Sequence, residues 1–295
     1  MKGKGKAWIF LTPMVILVVM FFAIPVVLTI VLSFTNMDYT FKWNFIGLGN
    51  FKDIATDFVI PKVLLNTLIY TFTTLALFNV GCALLISLLT TSMPDRWGSF
   101  FRTLWMLPRL TPSVVYGILW LWIFDPTEHG LVNFVRAQMG MPPQDWLHQA
   151  PMVMVIVANG FIGASMGMLI FTAAIKAIPT DYYRAALIDG ASWWMITRKI
   201  TLPLIKWQLL FVTAYQTLSL LTSFEYILII TNGGPTFRTE VWALYTYHMA
   251  FSNYRFGYGA ALSVILVILG TVFALLYLKM FKFEDLMQKP KVEVD

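Results

Sequence analysis

Six long stretches of apolar residues are the feature that most constrains what this chain can fold into. They cover approximately residues 7–34, 63–92, 104–124, 152–178, 204–230 and 258–281. Each is long enough to cross a bilayer core, which takes about 20 residues of α-helix. Because a chain in lipid must satisfy its backbone polar groups internally, the stretches predict helices. The predicted fold is all-α, a polytopic membrane protein with six transmembrane helices in one domain over residues 1–295.

The composition supports a membrane protein and excludes several other classes. The chain is 58% hydrophobic and only 12% charged, whereas a soluble domain carries about 25% charged residues. Its net charge of +6 is better explained by lipid headgroups than by nucleic acid, because the basic residues lie between apolar stretches. The single cysteine, Cys82, excludes an intrachain disulfide. The three histidines lack metal-ligand spacing, so we expect no metal site.

The distribution of basic residues predicts the orientation of the helices, since cytoplasmic loops are enriched in Lys and Arg. One set of loops holds more than twice as many of these residues as the other. The richer set is Lys2, Lys4, Lys6, Arg96, Arg102, Lys176, Arg184, Arg198, Lys199, Lys206, Lys279, Lys282, Lys289 and Lys291, and the poorer set is Lys42, Lys52, Lys62, Arg136, Arg238 and Arg255. This bias predicts that both termini are cytoplasmic. The first apolar stretch is too long for a signal peptide and no A-x-A site follows it, so we expect a retained anchor helix.

A polar segment between the fourth and fifth apolar stretches predicts a helix–glycine–helix elbow at the cytoplasmic surface. Asp181 is placed to cap a first helix, and Gly190 follows where a helix end favours a residue with positive φ. A second short helix is predicted to begin near Ser192, and Pro203 precedes the next apolar stretch. The segment reads DYYRAALIDGASWWMITRKITLP.

This elbow resembles the EAA loop of permease subunits of ATP-binding-cassette (ABC) transporters. The matching residues are Ala185, Ala186, Asp189, Gly190, Ala191, Leu202 and Pro203. Three further segments are similar to the carbohydrate-uptake group of these permeases, to which the maltose permeases belong. They are residues 45–51 (FIGLGNF), residues 102–108 (RTLWMLP) with Pro112 and Trp120, and residues 231–235 (TNGGP) with Phe251 and residues 256–259 (FGYG).

The resemblance implies a permease of a binding-protein-dependent importer that moves a sugar or oligosaccharide across the cell membrane. It implies partners: a second, homologous permease subunit, an extracytoplasmic solute-binding protein and two cytoplasmic ATPase subunits that bind ATP and Mg²⁺. The chain has no phosphate-binding loop, so we expect no cofactor and no ATP hydrolysis in it. Coupling to the ATPases is expected at Arg184, Ala185, Ala186, Asp189, Gly190 and Ala191.

Two residues of the elbow depart from the family pattern. Arg184 stands where the family has a glutamate, which reverses a charge, and Thr197 stands where an aromatic residue is usual. Because Asp189 and Gly190 are retained, we expect the turn itself to form.

Several polar residues within the apolar stretches are candidates for a substrate path. Hydroxyls, a carboxylate and aromatic rings suit a carbohydrate, and the fifth stretch holds Tyr215, Ser219, Ser223, Glu225 and Tyr226. The alternative for this strip is helix packing, since hydroxyls in membrane helices also bond neighbouring backbone.

Other polar and small residues have two interpretations as well. Arg109 either extends toward the cytoplasmic interface or serves a gate or a contact between helices. Asn66 and Asn79 are expected to pair between helices rather than to touch substrate. Gly160, Gly163, Ala164 and Gly167 form a small-residue face that predicts close helix packing.

Three other functions are alternatives to sugar import. One is an ABC permease for a glycerol phosphate, an oligosaccharide acid or another small polar solute, although a phosphate favours several basic residues in the path and only Arg109 is available. A secondary carrier usually has repeated halves, and the sequence contains no convincing repeat. A membrane enzyme needs clustered His, Asp or Glu, which the stretches lack.

Overall fold

The computed structural model describes residues 4–280, with side chains from residue 11 onward. Some residues used above for the predicted last span and the orientation lie outside the described residues: Phe281, Lys2, Lys282, Lys289 and Lys291. Regular structure in the described part is helical, apart from an isolated antiparallel bridge between Thr35 and Phe45.

The α-helices of the described chain are α1 (Lys4–Val18), α2 (Ile24–Ser33), α3 (Gly49–Thr56), α4 (Ile60–Thr74), α5 (Ala83–Ser92), α6 (Asp95–Leu110), α7 (Ser113–Ile123), α8 (Leu131–Gln138), α9 (Trp146–Gln149), α10 (Pro151–Lys176), α11 (Thr180–Ile188), α12 (Trp193–Ile196), α13 (Leu202–Leu204), α14 (Lys206–Leu221), α15 (Glu225–Ile230), α16 (Trp242–Tyr247) and α17 (Phe256–Met280). Four π-helical segments continue or join them, at Val19–Ala23, Leu75–Cys82, Thr197–Thr201 and His248–Ser252.

Four of the six predicted spans are continuous helices that are long and apolar enough to cross a membrane. They are Leu11–Ser33, Ile60–Ser92, Pro151–Lys176 and Phe256–Met280. The first two contain a π-helical segment and remain unbroken through it. The hydropathy pattern therefore located these helices to within a few residues.

The third predicted span, residues 104–124, is not one straight helix. Helix α6 begins before it, at Asp95, and meets α7 within it at a bend of 103°. The break falls at Thr111, which is extended with φ −80° and ψ 133°, and at Pro112, with ψ 140°. A residue that precedes proline is disfavoured in the helical region, because the proline ring contacts its backbone. The pair is either one broken span or a re-entrant loop.

The fifth predicted span, residues 204–230, is also divided. Helix α14 ends at Leu221 and α15 begins at Glu225, and neither reaches the length of a membrane crossing. At the break the Thr222 hydroxyl donates to the carbonyls of Leu218 and Ser219, and such side-chain bonds compete with the helical pattern. By length and composition the described helices therefore supply four spans, or five if α6 and α7 form one, and the predicted six are not confirmed.

The chain forms two compact units. Of the described chain, the first contains residues 4–61 together with residues 245–269. Within it the Asp57 carboxylate accepts hydrogen bonds from the hydroxyls of Tyr245 and Tyr258, at 2.5 and 2.8 Å. The Asn50 side chain donates to the carbonyls of Ser33 and Thr35. These buried bonds connect segments that are far apart in sequence.

Of the described chain, the second unit contains residues 62–244 and 270–280. Its core includes Ala83, Ala164, Met168, Phe171 and Val212, all buried. Helix α10 packs closely against the Ile60–Ser92 helix through its small residues, as predicted. A Cβ atom added at Gly167 would lie 2.5 Å from the Asn79 carbonyl oxygen, and one at Gly160 would collide with the Phe78 ring.

Candidate functional site

A cavity of about 320 Å³ lies in the second unit, where several helices depart from regular geometry. Thr111 lines it at the α6–α7 break, Ser223 at the α14–α15 break, and Asn79 in the π-helical segment. Irregular backbone at membrane depth is tolerated where it is buried or lines a cavity. The full lining is Asn79, Arg109, Thr111, Asn159, Ile162, Gly163, Met166, Tyr215, Gln216, Ser219, Leu220, Ser223 and Tyr226.

Asn79 is a buried amide that faces this cavity. Its side chain is only 1% exposed, and its Oδ1 atom has no hydrogen-bond partner among the described residues. It lies in the π-helical segment Leu75–Cys82, against Gly163 of α10. Leaving a buried polar atom unpaired costs on the order of 1–3 kcal/mol. Asn79 therefore places an unpaired, buried amide oxygen in the wall of the cavity.

A second amide, Asn159 of α10, joins α4 and the α14–α15 break at the cavity. Its Nδ2 group donates to the hydroxyls of Tyr70 and Ser223, the latter at 3.0 Å. The Tyr70 and Ser223 hydroxyls lie 3.3 Å apart. This network fixes the position of Ser223 at the helix break, so its geometry does not depend on α14 or α15 alone.

Gln216 and Arg109 complete the polar lining. The Gln216 amide donates to the Gly163 carbonyl at 3.0 Å. Arg109 is in the last turn of α6, and one of its NH groups lies 3.4 Å from the Ser165 hydroxyl. Hydroxyls, amides and one guanidinium thus share a cavity that also holds two tyrosine rings, those of Tyr215 and Tyr226.

The structure brings together four of the five predicted path residues. Tyr215, Ser219, Ser223 and Tyr226 all line the cavity. Glu225 is the first residue of α15, is exposed and is outside that lining. These residues do not form one helical strip, because the chain breaks between Leu221 and Glu225.

The two asparagines of the second span differ in their surroundings. Asn66 donates to the carbonyls of Phe237 and Glu240, which is a structural contact with a loop. Asn79 lines the cavity instead. Sequence reasoning missed Asn159 and Gln216. The signal that singled out Asn79, an amide inside an apolar stretch, applies equally to both.

The predicted elbow is present in the second unit. Helix α11 ends in a turn at Gly190, whose φ is +75°. The Ala191 N–H donates to the Ala186 carbonyl at 2.9 Å and the Gly190 N–H to the Leu187 carbonyl at 3.1 Å, the pair of bonds that defines a Schellman motif. The Ser192 hydroxyl then caps α12 by accepting from the Met195 N–H.

Asp181 is not the cap of the first helix. Pro179 occupies that position, and Asp181 lies in the first turn of α11. There its negative charge interacts favourably with the positive end of the helix dipole. The side chain of Arg184 lies 3.5 Å from the Asp181 carboxylate, and both are exposed. The remaining predicted coupling residues surround the turn: Ala185 and Ala186 precede it, and Asp189 and Ala191 flank Gly190.

Two side chains attach the elbow to neighbouring helices. The Trp193 indole N–H donates to the Ser92 hydroxyl, at the end of α5, at 3.1 Å. The Tyr183 hydroxyl lies 3.3 Å from that of Thr201. Leu187, Ile188 and Trp194 remain exposed at 63%, 86% and 63%. The elbow thus combines a fixed base with an apolar exposed face, a combination suited to contact with another protein.

The chain folds like a protein in the crystal structure of a bacterial ABC transporter involved in the import of the acidic polysaccharide alginate, with a TM-score of 0.84, 23% identity and 98% of each chain covered. The model of the family described as the binding-protein-dependent transport system inner membrane component matches residues 80–281. The chain belongs to this family of multi-pass membrane proteins, which is not a family of enzymes.

Relatives over nearly the whole length agree with this assignment. The arabinooligosaccharides transport system permease of Bacillus subtilis is 30% identical over 283 residues, covering 94% of this chain and 88% of that protein. The sn-glycerol-3-phosphate transport system permease of Agrobacterium fabrum is 31% identical over 274 residues, covering 90% of this chain and 91% of that protein.

Proposed function

We propose that the cavity at the helix breaks is the part of the transport path where this permease holds its cargo, and that the cargo is a carbohydrate. The observation that carries the proposal is the polar lining of this cavity, where Ser219 and Ser223 lie beside the buried Asn79. Sugars present hydroxyls that both donate and accept, together with apolar ring faces. Amides and hydroxyls match the first property, and the rings of Tyr215 and Tyr226 match the second.

Two further points support a carbohydrate over a glycerol phosphate. Arginine and lysine favour phosphate groups, yet Arg109 is the only basic residue in the lining of this cavity. A relative named for arabinooligosaccharides is similar over nearly its full length. Because another relative is named for sn-glycerol-3-phosphate, a glycerol phosphate is the alternative cargo to be tested.

The elbow, residues 181–203, is the proposed contact with cytoplasmic ATPase subunits. Its exposed Leu187 and Ile188 lie beside the Gly190 turn, and Trp193 connects it to the end of α5. Movement of the elbow would therefore act on the Ile60–Ser92 helix, which carries Asn79. ATP and Mg²⁺ would be bound by two ATPase subunits and not by this chain. The elbow and both chain termini would lie on the cytoplasmic side.

A second permease subunit and an extracytoplasmic solute-binding protein would complete the importer. The Leu11–Ser33 helix has none of its apolar window buried inside this chain. Lipid or another membrane subunit must cover such a surface, which is consistent with a paired permease in one transmembrane permease domain.

The path assignment is tested by filling the cavity. Ser219→Trp places a large side chain among the lining residues, whereas Thr222→Trp adds the same bulk at an exposed position of the neighbouring break that does not line the cavity. We expect Ser219→Trp to abolish uptake of radiolabelled arabino-oligosaccharide by proteoliposomes that hold the complete importer, and Thr222→Trp to retain most of it. Both variants should still co-purify with the other subunits. Full uptake by assembled Ser219→Trp importers would contradict the assignment.

A further inference from the structure

Tyr70 is a buried tyrosine whose hydroxyl contacts two residues that line the cavity. It lies in α4, is 0% exposed and does not itself line the cavity. Its hydroxyl accepts a hydrogen bond from Asn159 Nδ2 and lies 3.3 Å from the Ser223 Oγ atom. Among the described residues these are its only polar contacts. Because a hydroxyl is costly to bury without hydrogen bonds, these two contacts are what stabilises a tyrosine at this position.

The burial of Tyr70 determines which of the two hydroxyls donates. A phenol has one proton, and Ser223 Oγ is the acceptor that the described residues offer to it. If Ser223 donated instead, the Tyr70 proton would be buried without an acceptor, which is destabilising. Tyr70 therefore accepts from Asn159 and donates to Ser223.

This direction leaves the Ser223 proton for the cavity. A serine hydroxyl has one proton and two lone pairs. Ser223 Oγ accepts from Asn159 Nδ2 at 3.0 Å and from Tyr70 at 3.3 Å, which occupies both lone pairs. Its own proton has no acceptor among the described residues, and Ser223 lines the cavity. Ser223 therefore presents a hydrogen-bond donor to a molecule in the cavity.

We infer that Tyr70 is a positioning residue for cargo binding, whose hydroxyl orients the Ser223 hydroxyl as a donor to an oxygen atom of the cargo. This inference rests on the cavity being the transport path. A hydroxyl or ring oxygen of the cargo can accept from Ser223, whereas a group without a lone pair, such as an ammonium, cannot. Without the Tyr70 hydroxyl, one lone pair of Ser223 is free and its proton is no longer held toward the cavity.

Tyr116 provides a matched control for Tyr70. It is also buried, at 4% exposed, and its hydroxyl also bonds to α10. That bond goes to the backbone carbonyl of Ala158 at 2.6 Å, and neither Tyr116 nor Ala158 lines the cavity. Replacing either tyrosine by phenylalanine removes one buried hydroxyl and keeps the ring. A difference in cargo binding between the two variants therefore shows the effect of the Tyr70 hydroxyl on the cavity, and not the general cost of a lost hydrogen bond.

The test measures occupancy of the cavity in the complete importer in nanodiscs. Cys82→Ser removes the native thiol of this chain, and Ser219→Cys places a new one among the lining residues. In this background the rate of maleimide labelling of the chain is measured by mass with increasing arabinotriose, lactose or glycerol 3-phosphate. The variants are compared with the probe that protects the thiol at the lowest concentration. Co-elution with the other subunits shows that each variant is assembled.

We expect Tyr70→Phe to raise the protecting concentration about twofold to tenfold, the range that one hydrogen bond represents. Ser223→Ala, which removes the donor, should raise it by at least the same factor. The double variant Tyr70→Phe/Ser223→Ala should bind no more weakly than Ser223→Ala alone, because Tyr70 acts through Ser223 and such coupled effects do not add. Tyr116→Phe should bind the probe like the reference protein.

The outcomes separate this inference from the path assignment. An unchanged protecting concentration in Tyr70→Phe, losses that multiply in the double variant, or an equal loss in Tyr116→Phe would overturn the positioning role and leave the path assignment standing. Failure of Tyr70→Phe alone to assemble would also overturn it, because the hydroxyl would then support the fold and not the binding.

The choice of probe tests the proposed function separately. If glycerol 3-phosphate protects the thiol best, the carbohydrate cargo is contradicted, while the comparison of the variants still decides the role of Tyr70. If no probe slows labelling, the cavity is not the cargo site and both proposals fail.

Discussion

Replacing Gly190 by valine should uncouple ATP hydrolysis from transport. A left-handed conformation costs a side chain with Cβ roughly 1–2 kcal/mol, and Gly190 has a φ of +75°. No neighbouring atom lies within 4 Å of an added Cβ, so the cost arises from the backbone and not from a collision. If the turn opens instead, it loses the Ala191 and Gly190 hydrogen bonds, each with a net value of about 0.5–1.5 kcal/mol.

The chain contains a closely matched control at Gly140, after α8. Its φ is +73°, and no atom lies within 4 Å of an added Cβ there either. The Met141 N–H donates to the Arg136 carbonyl at 2.9 Å and the Gly140 N–H to the Ala137 carbonyl at 3.0 Å. Both glycines thus end a helix in the same motif, and valine should produce the same local strain of about 1–2 kcal/mol at each. A difference in coupling between the two valine variants therefore shows an effect of where the turn lies in the protein, and not of the backbone strain.

The assay compares sugar uptake with ATP hydrolysis in proteoliposomes that hold the complete importer. We expect Gly190→Val to lower the amount of sugar moved per ATP by about 5–30-fold, the factor that 1–2 kcal/mol represents in an equilibrium. Gly140→Val should stay near the unmodified protein, and Gly190→Asn should retain more coupling, because asparagine tolerates the left-handed region. Normal coupling in Gly190→Val, or equal losses in both valine variants, would refute the assignment of the elbow.

Three other substitutions have defined outcomes. Gly167→Ala should lower the thermal unfolding midpoint by several degrees, because overpacking against the Asn79 carbonyl costs about 1–3 kcal/mol, whereas Gly270→Ala, whose added Cβ would lie 3.8 Å from its nearest neighbour, should not. Burial opposes ionisation of Asp57, but hydrogen bonds from two tyrosines and the Val59 N–H lower its pKa below 3.8. The ionised carboxylate therefore stabilises the fold above that pH, and Asp57→Asn should destabilise the protein at pH 7, as measured by unfolding. This destabilisation should vanish as the pH falls through the lowered pKa. Arg184→Glu should weaken co-purification with the ATPases by no more than about 1 kcal/mol, since exposed ion pairs contribute little, and tighter association would indicate that no acidic residue faces this position.

The transmembrane helices are the part of the fold that the sequence predicts well. A continuous apolar stretch in lipid has few alternatives to a helix, and the four unbroken spans follow directly from it. The small-residue face of α10 was also predictable, because small residues four positions apart, such as Gly163 and Gly167, allow two helices to approach. The Gly190 turn followed from a glycine placed where a helix end takes positive φ.

The helix breaks and the composition of the cavity were harder to predict. A hydropathy average does not register that Thr111 precedes a proline, or that the hydroxyl of Thr222 bonds back to its own helix. The strip predicted from Tyr215 to Tyr226 assumed regular helical spacing, and the break at residues 222–224 moved Glu225 out of it. Asn159 and Gln216 carry the same signal as Asn79, an amide inside an apolar stretch, but only tertiary packing brings the three amides to one cavity, and periodicity within one segment does not reveal that.

The π-helical segment Leu75–Cys82 determines which way the side chains of the following helix point. Thr71, Leu75, Asn79, Ala83 and Ser87 are all buried at intervals of four residues. In an ideal α-helix, four residues rotate the direction of the side chain by about 40° beyond a full turn. The side chains of Thr71 and Ser87 would therefore differ in direction by about 160° and point to opposite sides of the helix. The wider turn absorbs this drift and leaves Ser87 bonded to the Met168 carbonyl at 2.9 Å. Deleting a single residue here would rotate everything after Cys82 by about 100°, so the register of half a membrane span depends on the length of this one segment.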